Sequence, residues 1–475
     1  MSAENVLSVG IDIGTSTTQV IFSDLTMNNT ASYFSVPHVS ITAKKVVYKS
    51  DIYTTPLKTP ELIDADGVKE IVQREFDKAG YTPADTDTGA VIITGESARK
   101  ENAAAVLEKL SGFAGDFVVS TAGPDLESVI AGKGSGAAAY SLDNSVSVLN
   151  LDIGGGTTNI VMFDCGSVVA KGCVDIGGRL IKTDASGVIT YISPAAAAFA
   201  RDVGVSIRRG DRARESELAK VTDRMSALLE NMISSQPDEI LRDVITPGSS
   251  PLVLPKKPDV ICFSGGVADF VYSAQTGSFK YGDIGEILGR SIRSGRIFSE
   301  HTVINAGETI RATVVGAGTY TTSVSGSTIN YSADILPIKN APVLFFGEKE
   351  QKRIFESDSK FLREKVRWFM EQSDSELFIL AMKGLSDPSY EEIKAAAQTI
   401  CEVLDEELPR TQPIITVLEN DMAKALGQAM KRLGTKRNII CIDSIKAEEN
   451  DFIDMGKPLM NGLVIPVVVK TLIFN

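Results

Sequence analysis

A glycine-rich stretch near the middle of the sequence has the residue types and spacing of a phosphate-binding turn. Residues 149–164 read LNLDIGGGTTNIVMFD, so an apolar run leads to Asp152 and a β-rich run follows the turn. Glycines bring backbone N–H groups close to an anion, and a nearby carboxylate suits a divalent cation. A plain glycine-rich β-hairpin is the alternative interpretation. The turn residues are Gly154, Gly155, Gly156, Thr157 and Thr158.

Almost the same stretch occurs once more, in the first part of the sequence. Residues 6–22 read VLSVGIDIGTSTTQVIF, and alignment of the two stretches places Asp12 on Asp152 and Gly14 on Gly154. A hairpin repeated once in each half favours a shared function over chance. Two such turns facing each other could hold the phosphates of one nucleotide from opposite sides. The first turn comprises Gly14, Thr15, Ser16, Thr17 and Thr18.

Composition excludes several classes of function. The 475 residues carry a net charge of -13 and no basic block, which argues against a nucleic-acid partner. Only two histidines are present, too few for a multi-histidine metal site, and the five cysteines form no CxxC pair. The sequence has no signal-peptide pattern and no apolar run long enough to span a bilayer. We therefore expect a cytoplasmic protein that has no membrane partner.

Strands and helices are predicted around the first turn. Apolar periodicity and β-branched residues predict strands over 33–49, 90–94 and 116–120. Helices are predicted over 59–79 and 97–110.

Small residues dominate two further predicted helices, 126–140 and 307–320, and such helices can pack closely. After the second turn, 167–175 reads as a strand and 193–232 as mostly helical, with its charged patch 208–217 on a solvated helix face.

A buried strand is also predicted to run into Gly265 and Gly266 and then into a helix. The stretch 259–270 reads DVICFSGGVADF, and such a junction leaves backbone amides and a flat glycine surface beside a ligand. The alternative is a strand-to-helix turn that needs a positive φ.

Beyond residue 328, predicted strands and helices alternate, which indicates an α/β layer. The strands are predicted over 343–346, 377–382, 414–417 and 438–442, and the helices over 359–370, 390–408 and 421–433.

Five of these features follow the order of the nucleotide-site motifs in the actin/Hsp70/sugar-kinase superfamily, which the sequence resembles. The two turns resemble its phosphate loops, 126–140 and 311–318 its connecting helices, and 264–268 its adenosine motif. The resemblance implies ATP and Mg²⁺ in a cleft, with the connecting helices as a hinge.

The implied fold class is α/β: an actin-like ATPase fold with duplicated ribonuclease-H-like lobes, each built on a five-stranded mixed sheet. The lobes are expected at 1–145 and 146–327. Residues 328–475 would form an additional C-terminal α/β region.

Within that superfamily, the sequence most resembles the ethanolamine ammonia-lyase reactivating factors. The resemblance is carried over the whole length by segments such as VGIDIGTSTTQVIFSDL, NLDIGGGTTNI, CFSGGVADFVY, IRATVVGAGTYTTSVSGSTI and MNGLVIPVVVKTLIF. It implies a chaperone-like protein that uses ATP and Mg²⁺ to free the lyase of damaged cobalamin, so that intact adenosylcobalamin can bind. The implied partner is ethanolamine ammonia-lyase. A homodimer and association with a bacterial microcompartment are compatible with this reading.

The expected site gives each group a role. Asp12 and Asp152 would hold Mg²⁺, partly through water, and the amides of both turns would bind the β- and γ-phosphates. Gly265 and Gly266 would pass under the adenosine. Glu127 is the acidic candidate for orienting water, although an ordinary carboxylate at a helix start is the favoured interpretation. With so few charged groups, we expect at most slow ATP hydrolysis.

Three other functions stay open at this point. A sugar- or acid-type kinase of the same fold would need a general-base aspartate, and the sequence singles out none. A filament-forming or membrane-anchored relative, or a nucleotide sensor without hydrolysis, would use the same motifs. The region after residue 328 would contact the partner enzyme or simply buttress the second lobe.

Overall fold

The computed structural model describes most of the chain. The described residues are 4–29, 39–59, 62–95, 97, 100–110, 119–121, 123–249, 251–273, 279–320, 323–325, 329–332, 335–372, 375, 377–449, 451–459 and 462–471. The predicted strand segments 33–38 and 116–118 therefore lie outside the described residues. Across the described part, no helix is both long and apolar enough to cross a bilayer.

The first sheet carries the first glycine turn and has the strand order β3-β2-β1-β7-β8, with β4 paired to β2. Strands β1, β2 and β3 are antiparallel neighbours, whereas β7 and β8 run parallel to β1. Its strands are β1 (Glu4–Ile13), β2 (Thr17–Asn29), β3 (Val39–Lys49), β4 (Tyr53–Thr54), β7 (Thr88–Ile93) and β8 (Val119–Thr121), while β5 (Leu57–Thr59) and β6 (Leu62–Ile63) form a separate two-stranded sheet.

The second sheet repeats this topology around the second turn. Its order is β11-β10-β9-β14-β15, with β9, β10 and β11 antiparallel and β14 and β15 parallel to β9. The matching order and directions confirm the prediction of two lobes on duplicated mixed sheets. Its strands are β9 (Ser147–Ile153), β10 (Thr158–Asp164), β11 (Ser167–Val174), β14 (Val260–Ser264) and β15 (Thr302–Asn305), while β12 (Ile181–Thr183) and β13 (Ile189–Ile192) form a separate two-stranded sheet.

Helices cover both sheets, and two of them cross closely between the lobes. The helices are α1 (Ala65–Ala79), α2 (Ala103–Leu110), α3 (Pro124–Gly134), α4 (Ala137–Asn144), α5 (Pro194–Asp202), α6 (Glu215–Ile233), α7 (Leu241–Val244), α8 (Ala268–Tyr272), α9 (Gly285–Ser294), α10 (Ile297–Glu300) and α11 (Ala312–Tyr320). A methyl group on Gly134 of α3 would lie 2.6 Å from the backbone nitrogen of Gly316 in α11. The small residues of these two helices therefore let their backbones touch, as the sequence predicts.

The third sheet belongs mainly to the C-terminal region and has the order β16-β22-β21-β17-β18-β19-β20. Strands β17 to β20 are parallel, and apolar residues of the four helices cover one face of them. This confirms the predicted α/β layer. The elements are β16 (Ser323–Val324), β17 (Ile338–Phe346), α12 (Glu348–Phe355), α13 (Ser359–Gln372), β18 (Ile379–Met382), α14 (Tyr390–Glu407), β19 (Ile414–Leu418), α15 (Ala423–Arg432), β20 (Ile439–Ile442), β21 (Asp451–Met455) and β22 (Pro466–Thr471).

The third region packs on the first lobe and the connecting helices. Val464 lies in one buried cluster with Val6 and Leu25 of the first sheet. Val468 lies in another with Ile92 of β7 and Ile130 of α3. These apolar contacts join the third region to the first lobe and to the connecting helix α3.

Two predicted helices begin later than the sequence suggests. The helix predicted over 59–79 begins at Ala65, because Leu62 and Ile63 pair as a strand with 57–59. The helix predicted over 97–110 begins at Ala103. Residues 60–61, 96 and 98–99 lie outside the described part.

Glycines and long-range bonds change three further predicted helices. The helix predicted over 126–140 divides at Gly136, whose φ is 89°. The helix predicted over 307–320 begins at Ala312, and the preceding Thr309 carbonyl accepts a hydrogen bond from Gly265. Residues 203–214 leave the predicted 193–232 helix as a loop, so residues 208–214 of the charged patch are not on a helix, and only 215–217 belong to the first turn of α6.

Candidate functional site

The two turns have the same backbone geometry. The Gly14 N–H donates to the Thr17 carbonyl at 2.9 Å, and the Gly154 N–H donates to the Thr157 carbonyl at 2.9 Å. Each turn joins an antiparallel pair in which the aspartate lies opposite an amide residue: Asp12 opposite Gln19, and Asp152 opposite Asn159. The backbone hydrogen bond and the cross-strand pairing of the first turn therefore recur in the second turn.

Side chains from three elements fix the first turn. The hydroxyl groups of Thr55 and Ser97 donate to the Gly14 carbonyl at 2.8 and 3.0 Å. The Thr94 hydroxyl donates to Asp12 Oδ1 at 3.0 Å, at the end of the neighbouring parallel strand β7. The turn is thus held by side chains from outside it as well as by the Gly14 N–H to Thr17 carbonyl bond within it.

Equivalent contacts hold the second carboxylate. The Ser264 hydroxyl donates to Asp152 Oδ1 at 2.5 Å, and Asn150 donates to that hydroxyl oxygen at 3.1 Å. Thr313, near the start of α11, also hydrogen-bonds Asp152. A connecting helix therefore touches a candidate metal ligand directly.

Three carboxyl groups converge in the interior between the turns. Asp12, Asp152 and Glu127 are 7%, 4% and 7% exposed. Burial raises the pKa of Asp12 to about 7 and that of Asp152 to about 6. Burial, together with repulsion from both aspartates, raises the pKa of Glu127 to about 8. Such a cluster favours a bound cation, which would relieve the repulsion.

Glu127 connects the lobes. It lies in the first turn of α3, as predicted, and its carboxyl group is buried. Its Oε2 accepts the Gly95 N–H of the first lobe at 3.2 Å, and its carboxyl group hydrogen-bonds Asn159 of the second lobe.

The third glycine motif lies beside the second turn. Gly265 has a φ of 85°, and a methyl group on it would lie 2.6 Å from the Ile153 carbonyl carbon. Gly266 is open, with its nearest side-chain neighbour Ile310 at 3.8 Å from such a methyl group. The predicted positive-φ turn and the flat glycine surface therefore coexist at one junction.

The site fits a bound anion and cation. Buried polar atoms without a hydrogen-bond partner among the described residues include Ser16 Oγ, Gln19 Oε1 and Asn159 Oδ1, all in the two hairpins. The described residues contain no group of three or more His, Cys, Asp or Glu that could hold a metal ion by themselves. The carboxylate oxygens of Asp12 and Asp152 are nonetheless of the hard type that Mg²⁺ binds.

The family model described as Ethanolamine utilisation protein EutA matches residues 4–475. The chain belongs to the EutA family. It is 35% identical over 481 residues to ethanolamine ammonia-lyase reactivase EutA of Salmonella typhimurium, with 100% of both chains covered. It is 34% identical over 488 residues to the Escherichia coli protein of the same name, again with 100% of both covered.

Solved structures of other proteins share lower similarity with this EutA-family chain. The Aquifex aeolicus PPX-GPPA enzyme is 14% identical with a TM-score of 0.41, covering 66% of this chain and 99% of that chain. Ethanolamine utilization protein EutJ from Carboxydothermus hydrogenoformans is 16% identical with a TM-score of 0.32, covering 66% and 89%. These values carry no functional argument.

Sequence reasoning missed several site residues of this EutA-family chain. Thr94, Ser264 and Thr313 act on the aspartates from other strands and a helix, so no local pattern marks them. Arg179 was also missed, although a signal existed. Residues 175–178 read DIGG, an echo of the DIGGG at 152–156, and Arg179 follows directly.

Proposed function

We propose that this chain is an ATP- and Mg²⁺-dependent reactivating factor for ethanolamine ammonia-lyase, in the cytoplasm. The observation that carries the proposal is the match of the whole chain to two reactivases of that lyase. The duplicated turn, with its identical hydrogen bonds and buried carboxyl groups, supports the nucleotide part. We propose lobes at 1–145 and 146–327 and a third region at 328–475.

Each group of the cleft has a proposed role. Asp12 and Asp152 hold Mg²⁺, partly through water because Mg²⁺ loses its hydration reluctantly. The amides of both turns bind the phosphates, and Gly265 and Gly266 lie under the adenosine. When bound, Mg²⁺ neutralises phosphate charge and favours phosphoryl transfer.

Glu127 is proposed to orient the attacking water. Its pKa of about 8 keeps the carboxyl group largely protonated near neutral pH, while the two aspartates lack a counter-charge. A cation held by those aspartates would lower the pKa of Glu127, because it removes their repulsion. Glu127 then becomes a proton acceptor only when the site is loaded. Because Glu127 contacts Gly95 of the first lobe and Asn159 of the second, the change in its protonation is proposed to be coupled to the relative position of the lobes.

The decisive experiment measures recovery of deamination by lyase inactivated with cyanocobalamin, after addition of the protein, ATP, Mg²⁺ and fresh adenosylcobalamin. We expect recovery with the wild type and loss with Asp12→Asn and Asp152→Asn. Asp24→Asn is the matched control, because Asp24 lies farther along β2, away from the turn. No recovery with the wild type, or equal recovery with all variants, would remove the proposal. A phosphorylated small molecule formed without lyase would favour a kinase instead.

We also propose that the third region contacts the lyase. Its helices α13 and α14 present Trp368, 53% exposed, and Tyr390, 58% exposed, and large aromatic side chains are common anchors of interfaces. Deleting the region would expose apolar residues of the first lobe such as Val6. Trp368→Ala and Tyr390→Ala are therefore better tests. We expect weaker lyase binding with unchanged nucleotide binding, and unchanged lyase binding in both variants would refute the assignment.

A further inference from the structure

Arg179 is joined to the second glycine turn by its backbone. It follows Gly177 and Gly178 after strand β11. The Gly178 N–H donates to the Gly154 carbonyl at 3.0 Å, and the Arg179 N–H donates to the Gly155 carbonyl at 2.7 Å. These bonds occupy the outward-facing carbonyls of the turn, and they fix where the arginine side chain starts.

The side chain of Arg179 runs over Gly155 toward the first turn. A methyl group on Gly155 would lie 3.5 Å from both Cβ and Cδ of Arg179. The same point lies 2.6 Å from Ser16 Oγ of the first turn. The arginine therefore lies beside a point where Gly155 of the second turn approaches Ser16 of the first, whose buried hydroxyl group has no partner among the described residues.

The guanidinium group is only weakly held. Its Nε donates to Asp283 Oδ2 at 3.4 Å, a long hydrogen bond, and the side chain is 33% exposed. Within the described part of the chain, the two terminal nitrogens have no hydrogen-bond partner. Arginine offers five donors in a planar fork that matches phosphate oxygens in pairs. Most of this capacity is therefore free for an anion.

Asp283 is an alternative partner for the guanidinium group of Arg179. Burial raises its pKa, and Arg179 and the Gly285 N–H lower it in part. Its Oδ1 accepts the Gly285 N–H at 2.9 Å, at the start of α9. The pair therefore links the second turn to a helix that packs in the core of the second lobe.

The negative charge expected in the cleft would be stabilised by a guanidinium group. A nucleoside triphosphate brings several negative charges next to three carboxyl groups, more than one divalent ion neutralises. An arginine at a transferring phosphoryl group supplies charge stabilisation that a glycine turn lacks. The stem of Arg179 already lies beside Gly155 of the second turn, close to Ser16 of the first.

We propose that Arg179 binds the terminal phosphate of the nucleotide and so distinguishes triphosphate from diphosphate, with Asp283 competing for the guanidinium group. This inference rests on the proposed nucleotide site. In the triphosphate state, Arg179 leaves Asp283 for the phosphate. In the diphosphate state it returns, which gives the second lobe two arrangements that differ by one ion pair.

Isothermal titration with Mg²⁺-ADP and with the non-hydrolysable Mg²⁺-AMPPNP tests the inference. For Arg179→Met we expect the Kd of the triphosphate analogue to rise about 10- to 100-fold, while the Kd of ADP changes less than about 3-fold. Arg179→Lys keeps the charge but lacks the planar fork, so its Kd for the triphosphate analogue should lie between the values of the wild type and Arg179→Met. Asp283→Asn should lower the Kd of the triphosphate analogue without lowering that of ADP, because the amide competes less well than the carboxylate for the guanidinium group.

Arg208→Met is the matched control, since Arg208 is an exposed arginine in the loop of the same lobe. Thermal unfolding of each variant shows whether the fold is kept, and loss of one 3.4 Å contact should leave it nearly unchanged. Equal weakening of both nucleotides by Arg179→Met, or of neither, would overturn the role of Arg179 alone. Failure of the wild type to bind either nucleotide would overturn the proposed nucleotide site and this inference together.

Discussion

The close crossing of α3 and α11 makes Gly134→Ala a sharp test of the structure. The added methyl group would lie 2.6 Å from the backbone nitrogen of Gly316 and closer still to the carbonyl oxygen of Ala312. Carbon needs about 3.5 Å, and the closer contact to Ala312 therefore forces the helices apart by more than about 1 Å. Because the neighbours are backbone atoms, no side chain can rotate away. Overpacking of this kind costs about 1–3 kcal/mol, and we expect the upper end.

Two measurements follow from that displacement. The melting temperature should fall by about 5–10 °C in a thermal-unfolding experiment. Nucleotide affinity should also fall, because Ala312 adjoins Thr313, which hydrogen-bonds Asp152. Gly347→Ala is the control, since a methyl group there meets nothing within 4 Å. If Gly134→Ala has the same melting temperature as the wild type and the control, the helices do not cross as described and the reasoning is refuted.

Three other outcomes are expected. In the absence of metal, the free energy of unfolding, measured in urea, should fall as pH rises from about 4 to about 8, because the three buried carboxyl groups have raised pKa values. The folded protein then loses protons that the unfolded chain has already lost, and Asp152→Asn should flatten this fall. Gly265→Ala should unfold more easily because of its positive φ, whereas Gly266→Ala should keep the melting temperature and weaken adenosine binding. Arg437→Met should cost the third region about 3–5 kcal/mol in urea unfolding, because the buried guanidinium group donates to four backbone carbonyls and Asp405.

Local signals predicted the parts of the site that lie within one hairpin. Aspartate, glycine and threonine at fixed spacing determine a turn through neighbouring residues alone, so Asp12 and Asp152 were identified with their turns. The small-residue stretches predicted helices that can pack closely, and at Gly134 and Gly316 an added methyl group would meet backbone atoms of the other helix.

Long-range contacts explain what the sequence did not predict. Arg179 meets Gly155 only because 177–179 folds back on the turn after β11. The buried state of Glu127 depends on Gly95 and Asn159, which come from different lobes. The late start of α1 has a different, local cause: residues 62–63 fit a helical periodicity, but they pair as a short strand with 57–59.

The position of β22 has a consequence for biosynthesis. This strand lies between β16 and β21, so Val467 pairs with both Ser323 and Met455. The ribosome makes the two lobes first. Strand β16 stays unpaired with β22 until residues 466–471 have emerged. The third sheet must therefore close late, through contacts of high sequence separation that form slowly. Until then Val6, Leu25 and Ile92 stay uncovered on the nascent lobe, which makes this interval the time when a cellular holdase would be needed most.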